Sequence, residues 1–325
     1  MKNLHSLLIY DKKLDAIPAF KKWRRQYSLI YPVSAGEQLK ALEKFPQHIQ
    51  KILKLTQNIP SRDLTIVAAG GGSVLDFAGF VASIIKRGVK FTSVPTTWLA
   101  AIDAAHGGKT ALNVGGTKNQ IGTFYPADQI LLKKEFLFAQ PEARATEAFA
   151  ELLKIALLDG PKFFQQLEKS KRTGNALLWE FLQPAIDAKM KIVKKDPFEK
   201  TGHRRFLNLG HTLGHVFEAE LGWPHGKAIA AGLLLALSIS GQHAGLNYDW
   251  LDRSLTLLEK HGPELKLRVS FKSTKRLKEL LLQDKKREGI DLSFVLLQKP
   301  GKPVIQSLPL AYALSVLSSL KKVPN

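Results

Sequence analysis

The chain contains no cysteine, and its apolar runs are short. Without thiols it can form neither a disulfide framework nor a thiolate metal site, so a transition metal would need histidine and carboxylate ligands. The longest apolar stretch, AIAAGLLLALSIS at 228–240, is too short to span a bilayer. The start, MKNLHSLLIY, lacks the pattern of a secretory signal. These absences predict a cytoplasmic protein without membrane spans.

Acidic residues are scarce beside basic ones, with 28 Asp and Glu against 48 Lys and Arg and a formal charge of +20. Such a charge attracts anions of every kind and does not choose among phosphorylated metabolites, nucleic acid or membrane surfaces. Many lysines fall in charge-mixed stretches such as 272–289, which is typical of a solvated helix face. We see no basic motif interleaved with aromatic residues, so we expect no nucleic-acid partner.

Two patterns of hydrophobicity divide the chain. Up to about residue 130, short apolar runs alternate with amphipathic segments, which predicts βαβ units and a parallel sheet. The runs are LLIY at 7–10, TIVAAG at 65–70 and KFTSVP at 90–95, with a helix-like segment beginning at residue 36. Beyond about residue 145 strand signals nearly vanish and helical periodicity dominates. We therefore predict an α/β domain over 1–145 and a mainly α-helical domain over 146–325.

A glycine run, AAGGGSVLDFAGF, follows an apolar strand candidate and begins a helix. Consecutive glycines there let a backbone approach a pyrophosphate and direct N–H groups at it. The run is not the G-x-G-x-x-G fingerprint, and Gly70, Gly71 and Gly72 would equally suit a tight turn. Asp76, one turn into the helix, suits either ribose hydroxyls or the positive end of the helix dipole.

Polar residues gather after the next strand candidate, in VPTTWLAAIDAAHGGKTALN and GGTKNQIGTFY. Loops at the carboxyl ends of parallel strands hold ligands in α/β proteins, and a lysine beside glycine suits a phosphate. A solvent-exposed polar loop is the alternative. The candidates are Asp103, Lys109, Lys118 and Asn119.

Histidines and one glutamate in the second half form a candidate metal set. RRFLNLGHTLGHVFE places His211 and His215 on one face if the segment is helical, and His225 precedes an apolar helix candidate. Glu151 lies in AFAELLKIALL, three residues before Lys154. Glu, His and His with an open position is a common catalytic zinc set, although a structural role is commoner for any single histidine. Lys189, Arg204 and Asn208 add donors suited to a carboxylate or phosphate.

The order of these motifs resembles the dehydroquinate synthase family. The series is GEQLK, GGGSVLDFAGF, VPTTWLA, GGKTALN, KNQIGTFY, FAELLK, LNLGHTLGH and HGKA, and the resemblance runs from about residue 36 to 300. It implies a Rossmann-like NAD-binding domain, a helical domain that binds metal and substrate, a homodimer, and a site between the domains. Eight motifs in order are more specific than any one of them.

Site residues follow from the resemblance position by position. It implies zinc or cobalt ligands at Glu151, His211 and His225. It implies NAD contacts at Glu37, Lys40, Gly70, Gly71, Gly72, Asp76, Thr96 and Thr97, to which we add Lys118. It implies catalytic or substrate contacts at Asp103, Lys109, Asn119, Lys154, Lys189, Arg204, Asn208 and His215. Further substrate candidates are Arg87, which matches an arginine that reaches the phosphate, and one of Lys285 and Lys286, which matches a late lysine of the family.

The implied reaction is that of a phosphate-eliminating lyase in the shikimate pathway of aromatic amino acid biosynthesis. It converts 3-deoxy-arabino-heptulosonate 7-phosphate to 3-dehydroquinate, with NAD oxidising a hydroxyl and later returning the hydride. The metal would polarise the oxygen being oxidised, and cationic side chains would hold phosphate and carboxylate. His215 is a candidate for proton transfer, because histidine titrates near neutrality.

Some residues depart from the family pattern and keep other functions open. Arg144 stands where an acidic residue is usual, Lys227 follows His225 in HGK instead of HGE, and Leu75 replaces a glycine. A cation near a ligand weakens metal binding. The alternatives are a sister cyclase making inosose or valiolone precursors, a glycerol-dehydrogenase-like oxidoreductase, and a non-catalytic relative that binds NAD or an anion.

Overall fold

The computed structural model describes residues 3–265, 269, 271, 273–283, 287–288 and 291–320. Its contacts divide the chain into two compact units, unit 1 at Met1–Arg144 and unit 2 at Ala145–Asn325. Among the described residues, no helix is both long enough and apolar enough to cross a membrane.

A five-stranded parallel sheet forms the centre of unit 1, in the order β2-β1-β3-β4-β7. This is the strand order of a doubly wound sheet, in which successive strands are added to one side of β1 and then, from β3 onward, to the other side. A separate antiparallel pair, β5 and β6, follows β4 in the chain. The strands are β1 Asn3–Asp11, β2 Tyr27–Val33, β3 Thr65–Gly70, β4 Lys90–Pro95, β5 Lys109–Val114, β6 Thr117–Phe124 and β7 Gln129–Ile130.

Both faces of this sheet are buried. Leu7 and Ile9 of β1 pack into one hydrophobic cluster, whereas Leu8 and Tyr10 pack into another. Side chains alternate between faces along a strand, so a strand covered on both sides reads as the continuous apolar run that the sequence shows. The helices are α1 Pro18–Arg24, α2 Phe45–Thr56, α3 Gly72–Ile84, α4 Trp98–Ile102 and α5 Lys134–Leu137.

The strands predicted at 65–70 and 90–95 are confirmed as β3 and β4. The helix expected from residue 36 is only partly correct, because two 3-10 turns, Glu37–Lys40 and Leu42–Lys44, precede α2. Pro46 lies in the first turn of α2, where a missing N–H costs nothing. The proline therefore favours a helix start there and not ten residues earlier.

Helices dominate unit 2, as predicted. The apolar run at 228–240 lies within α10, whose residues are buried on nearly every side, so it is a core helix. The helices are α6 Glu142–Asp159, which begins at the end of unit 1, α7 Pro161–Lys169, α8 Gly174–Lys195, α9 His211–Leu221, α10 His225–His243, α11 Asp249–His261, α12 Thr274–Gln283 and α13 Leu310–Ser319.

Unit 2 also contains an antiparallel sheet that the sequence did not lead us to expect. Its order is β10-β9-β8, with β8 at Arg287–Glu288, β9 at Asp291–Lys299 and β10 at Lys302–Pro309. β9 is buried along most of its length, and a short buried strand has no periodicity that separates it from a buried helix. The mainly helical character predicted for the second half is confirmed, but the weak strand signals beyond residue 145 did not reveal this sheet.

Candidate functional site

Glu151, His211 and His225 converge in unit 2. Glu151 is buried at 1% exposure in the middle of α6, and the two histidines are the first residues of α9 and α10. Glu151 Oε1 lies 3.5 Å from His211 Nε2 and 3.3 Å from His225 Nε2. One ligand atom from each residue falls within 4.8 Å of the others. This is a set of three ligands suited to a divalent cation.

Glycines explain why the three helices come close enough. Gly210, at φ 81°, precedes His211, and a Cβ added there would lie 2.9 Å from the backbone of Leu233 on α10. A Cβ on Gly232 would overlap Gly210 O, and one on Gly226 would overlap Glu147 O on α6. The glycines beside the histidines in LGH and HGK thus let α6, α9 and α10 pack closely. That packing directs both histidines at Glu151.

Hydrogen bonds on the far side of each ring set the histidine tautomers. His225 Nδ1 lies 3.1 Å from Glu218 Oε1, and His211 Nδ1 lies 3.2 Å from Leu209 O. An Nδ1–H that donates to either oxygen leaves Nε2 as the ring atom that faces Glu151, where it holds a proton or would bind a metal ion, as is usual for a metal-binding histidine. Sequence reasoning missed Glu218. Its signal is the spacing of seven from His211, two turns along the same helix face.

Charge at the cluster is set by buried partners. Lys154 Nζ lies 2.5 Å from Glu151 Oε2, with both side chains 1% exposed. Burial alone would raise the pKa of Glu151, but the Lys154 ammonium and the histidines hold that pKa well below its usual range. Burial and Lys154 lower the pKa of His211. Burial would also lower the pKa of His225, yet Glu151 and Glu218 raise it to about 10. A cation at His225 is thus favoured by two carboxylates, which fits a metal ion replacing a proton.

The other unit 2 candidates lie on α8, on the 3-10 helix that precedes α9, and on α9 itself. Lys189 on α8 and Arg204 are buried at 3% and 4% exposure, and Asn208 ends the 3-10 helix His203–Asn208 that carries Arg204. The His215 ring centre is 5.4 Å from that of His211, and its Nε2 lies 4.0 Å from Glu218 Oε2. The predicted lysine pair Lys285 and Lys286 lies outside the described residues.

Lys227, whose charge we expected to oppose metal binding, interacts with an aromatic ring. Its Nζ lies 4.7 Å from the centre of the Trp223 ring, a cation–π contact. The charges that act on His225 are the two carboxylates Glu151 and Glu218. The structure therefore gives the ammonium of Lys227 a partner of its own.

In unit 1 the glycine turn lies where the sheet order predicts a ligand. β3 ends at Gly70, and α3 starts at Gly72 beside the point where the strand order reverses. A Cβ on Gly70 would lie 2.6 Å from Val74, so packing requires this glycine. A Cβ on Gly72 would meet nothing nearer than 3.7 Å. Packing thus leaves Gly72 unexplained, and the close approach of a ligand to the start of α3 would explain it.

Three predicted residues form one polar cluster near the start of α3. Lys40 Nζ, in a side chain 3% exposed, lies 2.6 Å from Asp76 Oδ2 and 2.5 Å from Asn119 Oδ1. Burial raises the pKa of Asp76 against the opposing charge of Lys40. Asn113, which we did not single out, donates to Glu37 Oε2 at 2.8 Å and accepts from the backbone N–H of Asn119 at 2.9 Å. The hairpin β5-β6 is thereby joined to the segment of Glu37 and Lys40.

The other unit 1 candidates lie at the carboxyl or amino ends of the parallel strands, here called the carboxyl and amino edges, or on the hairpin β5-β6. The backbone N–H of Thr96 donates to Gly70 O, and Thr97 caps α4 beside Gly71, so both lie at the carboxyl edge. The charge of Asp103 acts on Asp76, and Lys109 lines a small cavity with Asp76. Lys118 is exposed on β6. Arg87 precedes β4 and so lies at the opposite, amino edge.

The two other departures from the family pattern have plain surroundings. Leu75 is buried at 4% exposure in the hydrophobic cluster beneath α3, which explains why an apolar side chain is accepted there. Arg144 is exposed in the first turn of α6, seven residues before Glu151. Their effect on activity stays a prediction.

Comparison with known proteins decides the family. The model for the 3-dehydroquinate synthase N-terminal region matches residues 30–147, and the model for the C-terminal region matches residues 148–287. The chain belongs to the 3-dehydroquinate synthase family. The 3-dehydroquinate synthase of Coxiella burnetii is 37% identical over 280 residues, which cover 83% of this chain and 76% of that protein.

Solved structures of the wider superfamily share the fold. One is 2-deoxy-scyllo-inosose synthase in complex with carbaglucose-6-phosphate, NAD⁺ and Co²⁺, with a TM-score of 0.83, 24% identity, and coverage of 100% of this chain and 93% of that one. Another is 2-epi-5-epi-valiolone synthase from Streptomyces hygroscopicus with NAD⁺ and Zn²⁺, with a TM-score of 0.82, 21% identity, and coverage of 98% and 92%. At these identities the likeness establishes the fold of the family member described here.

Proposed function

We propose that the protein is a 3-dehydroquinate synthase that eliminates phosphate from 3-deoxy-arabino-heptulosonate 7-phosphate and closes the product ring. The observation that carries the proposal is the cluster of buried Glu151 with His211 and His225, with Lys154 paired to the glutamate, in a chain of this family. The cluster supplies three ligands and a nearby acid–base group, which suits chemistry on a hydroxyl group.

The metal would be held by Glu151 Oε1 and the Nε2 atoms of His211 and His225, the three atoms that face one another. A bound zinc or cobalt ion supplies a Lewis acid that polarises a substrate oxygen. The protein's own contribution is orientation: Glu218 and Leu209 O fix the two imidazoles through Nδ1. Lys154 keeps the glutamate anionic and is itself in place to exchange a proton with a bound hydroxyl.

The nicotinamide cofactor would bind unit 1 at the glycine turn. NAD supplies the hydride acceptor and donor for the reaction. Gly72 and the first N–H groups of α3 would lie against its pyrophosphate, which the open space at Gly72 and the sheet order support. Lys40 holds Asp76 in place one turn later, where its carboxylate could accept from a ribose hydroxyl. Thr96 and Thr97, beside Gly70 and Gly71, are the neighbouring candidates.

Buried cations in unit 2 favour a substrate that carries a carboxylate as well as a phosphate. Lys154, Lys189 and Arg204 are all less than 5% exposed, at 1%, 3% and 4%. Lys154 is paired with Glu151, and Arg204 Nη1 donates to Pro197 O. The substrate carboxylate is proposed from the family resemblance at Lys189 and Arg204 and from the shape of the guanidinium, which matches a carboxylate with two N–H donors. A sister cyclase acting on a sugar phosphate without a carboxylate would have less use for Arg204.

His215 is our candidate for proton transfer to or from the substrate. It lies one turn after His211 on α9 and is partly exposed, while Glu218 Oε2 lies 4.0 Å from its Nε2. A histidine that is reachable from solvent can pass a proton outward as well as to a ligand. Asp103, Lys109, Asn119, Lys189 and Asn208 complete the proposed substrate contacts. Arg87 remains a phosphate candidate, and Lys285 and Lys286 remain substrate candidates.

Turnover with the purified protein tests the proposal directly. The protein is incubated with the heptulosonate phosphate, NAD⁺ and Zn²⁺ or Co²⁺, and release of phosphate and formation of 3-dehydroquinate are followed together. Equal amounts of both products are expected. Binding of metal and NAD without phosphate release would contradict the proposal and favour a non-catalytic relative. Release only from a sugar phosphate without a carboxylate would favour a sister cyclase.

We also propose that the enzyme is a cytoplasmic homodimer, with the NAD site in residues 1–145 and the metal and substrate site in 146–325. The family resemblance supports this assembly and division of roles. Light scattering of the purified protein should give twice the monomer mass of 36.1 kDa. A monomer that turns over at the full rate would contradict the dimer.

A further inference from the structure

Asp196 is a buried carboxylate at the end of α8 that the metal cluster does not use. Its side chain is 2% exposed. Oδ1 accepts the backbone N–H of Lys200 at 2.7 Å and that of Thr201 at 3.2 Å, and Oδ2 accepts the backbone N–H of Arg204 at 3.2 Å. One carboxylate thus satisfies three backbone donors in the turn that joins α8 to the 3-10 helix His203–Asn208.

That turn has a strained backbone that needs holding. Glu199 has a φ of 57°, in the left-handed region that non-glycine residues avoid, and Gly202 follows with a φ of 84°. A single residue of this kind costs about 1–3 kcal/mol and persists only where its surroundings fix it. Asp196 bonds to Lys200 and Thr201, which follow Glu199, and to Arg204, which follows Gly202. These bonds provide such a constraint.

Arg204 is held by its backbone and by its side chain. Its N–H is bonded to Asp196, and its Nη1 donates to Pro197 O at 2.9 Å. The next residue, Arg205, is fixed in another direction, because its Nη2 donates to Ser293 Oγ on β9 at 2.5 Å. The 3-10 helix that ends at Asn208 is therefore anchored to α8 at its start and to the sheet of unit 2 beside it.

We propose that Asp196 is a positioning residue that sets the turn of residues 196–204 so that Arg204 meets the carboxylate of the substrate. The inference rests on the proposed function and deepens it, because it explains how a guanidinium on a loop is placed accurately enough to recognise a planar anion. Displacement of such a group by about 1 Å can cost on the order of a hundredfold in rate. The donors to the Asp196 carboxylate are the backbone N–H groups of Lys200, Thr201 and Arg204 and the side chain of Thr201, so its loss would change the turn without removing a metal ligand.

The carboxylate of Asp196 stays ionised throughout the range in which the enzyme would work. Burial by itself would raise the pKa of Asp196, but the backbone N–H groups of Thr201, Arg204 and Lys200 lower it to about 2. Replacing Asp196 with asparagine keeps its size, removes the charge, and puts an N–H donor where one of the acceptor oxygens stood. The substitution therefore loosens the turn without opening a cavity.

The test is a double-mutant cycle in the full chain loaded with Zn²⁺ and NAD⁺. The variants are Asp196→Asn, Arg204→Met and the two together, and Asp187→Asn, at an exposed position on the same helix, is the matched control. For Asp196→Asn we expect KM for the heptulosonate phosphate to rise about 10-fold or more, with kcat changed less than about threefold. Because Asp196 acts through Arg204, the double variant should be no worse than Arg204→Met alone.

Calorimetry adds a readout that does not need turnover. The probes are a phosphonate analogue of the substrate and the same analogue with a hydroxymethyl group in place of the carboxylate. Asp196→Asn should weaken the first by about 10-fold and leave the second unchanged. Equal weakening of both, additive losses in the cycle, or wild-type behaviour of Asp196→Asn would overturn the inference.

The same measurements separate this inference from the proposed function. Wild-type protein that binds the carboxylate analogue but releases no phosphate would contradict the synthase activity, and the analogue affinities would still decide the role of Asp196. Wild-type protein that turns over while Asp196→Asn keeps its affinity would contradict only the role of Asp196. Failure of the wild-type protein to bind either analogue would contradict both.

Discussion

The candidate site of unit 1 consists mainly of backbone groups, whereas that of unit 2 consists of side chains. In unit 1 the site is mostly backbone, a glycine turn between β3 and α3 at the reversal of strand order. In unit 2 it is made of side chains from α6, α9 and α10, with Glu151 and His225 separated by 74 positions. A backbone site is local in sequence, whereas a side-chain site depends on how helices pack. The two should therefore respond to different substitutions.

The largest effect is expected from Glu151→Gln, which should disable the site of unit 2 and leave that of unit 1. The variant loses the ligand that both histidines face, so bound metal should be lost. We expect kcat/KM to fall on the order of 10³ or more, beyond the roughly 10–100-fold cost of an outer-shell substitution. NAD affinity should stay within about twofold. Metal analysis measures the bound metal, phosphate release measures kcat/KM, and NAD titration measures the NAD affinity.

Glu151→Gln also leaves Lys154 buried without its carboxylate, which costs about 3–5 kcal/mol and can unfold the protein. The double variant Glu151→Gln with Lys154→Met removes the unpaired charge and should restore the melting temperature but not the metal. Glu142→Gln, at an exposed position in the first turn of α6, is the control. Full metal content and turnover in folded Glu151→Gln would show that the triad is not the metal site.

Glu218→Gln should have a smaller effect on the same site. Its Oε1 fixes the His225 ring through Nδ1, so the amide should weaken metal affinity by roughly 10–100-fold while the protein stays folded. Competition with a chelator of known affinity measures this. Glu220→Gln, two residues further on α9 and facing Arg276 at 3.9 Å, is the matched control. Equal metal affinity in both variants would remove Glu218 from the site.

A pair of glycine substitutions tests unit 1 in the same way. Gly72→Ala meets no protein atom within 3.7 Å, so stability should hold while NAD binding weakens by about 10-fold. Gly70→Ala collides with Val74 and should destabilise the protein by about 1–3 kcal/mol. Fluorescence titration with NADH and thermal unfolding provide the readouts. Wild-type NADH affinity in Gly72→Ala would move the cofactor away from this turn.

The smallest effect is expected from a substitution of His261, which packs against α6, the helix that carries Glu151. The His261 ring centre lies 5.2 Å from that of Phe149 on α6, with the two rings tilted by 45°. His261 is 6% exposed, and neither ring nitrogen has a hydrogen-bond partner among the described residues. An unsatisfied buried polar group costs about 1–3 kcal/mol, so His261→Leu should raise the free energy of unfolding by about 1 kcal/mol at pH 7.

The gain in His261→Leu should grow as pH falls. Burial, and then the charge of Lys260, lower the pKa of His261 below its unfolded value. The folded state therefore binds this proton less readily, and the wild-type protein loses stability as pH falls below about 6.5. Urea unfolding at pH 7 and pH 5 measures the difference, with His5→Leu at an exposed position as the control. Parallel loss of stability in wild type and variant would contradict this account.

Local patterns were read correctly where local physics decides them. TIVAAG and KFTSVP became strands because both faces of the sheet are covered, and Glu151 and Lys154 meet because they lie one turn apart on a helix. The sequence pattern did not predict β9, because a buried apolar run suits a strand or a helix equally. It also predicted a helix at Glu37–Lys40, where the chain forms a 3-10 turn. Glu218 escaped notice because its role depends on where His225 lies.

The sequence by itself determined the residue types available to the site: no thiols, a Glu, His and His set, and a glycine run after a strand, in an order that resembles one family. The tertiary structure alone decided that Glu151, His211 and His225 converge. The physical reason is helix packing, since Gly210, Gly226 and Gly232 let three helices approach to distances that a Cβ would forbid. It also decided that Asp196, which belongs to no motif we singled out, holds the backbone of Arg204.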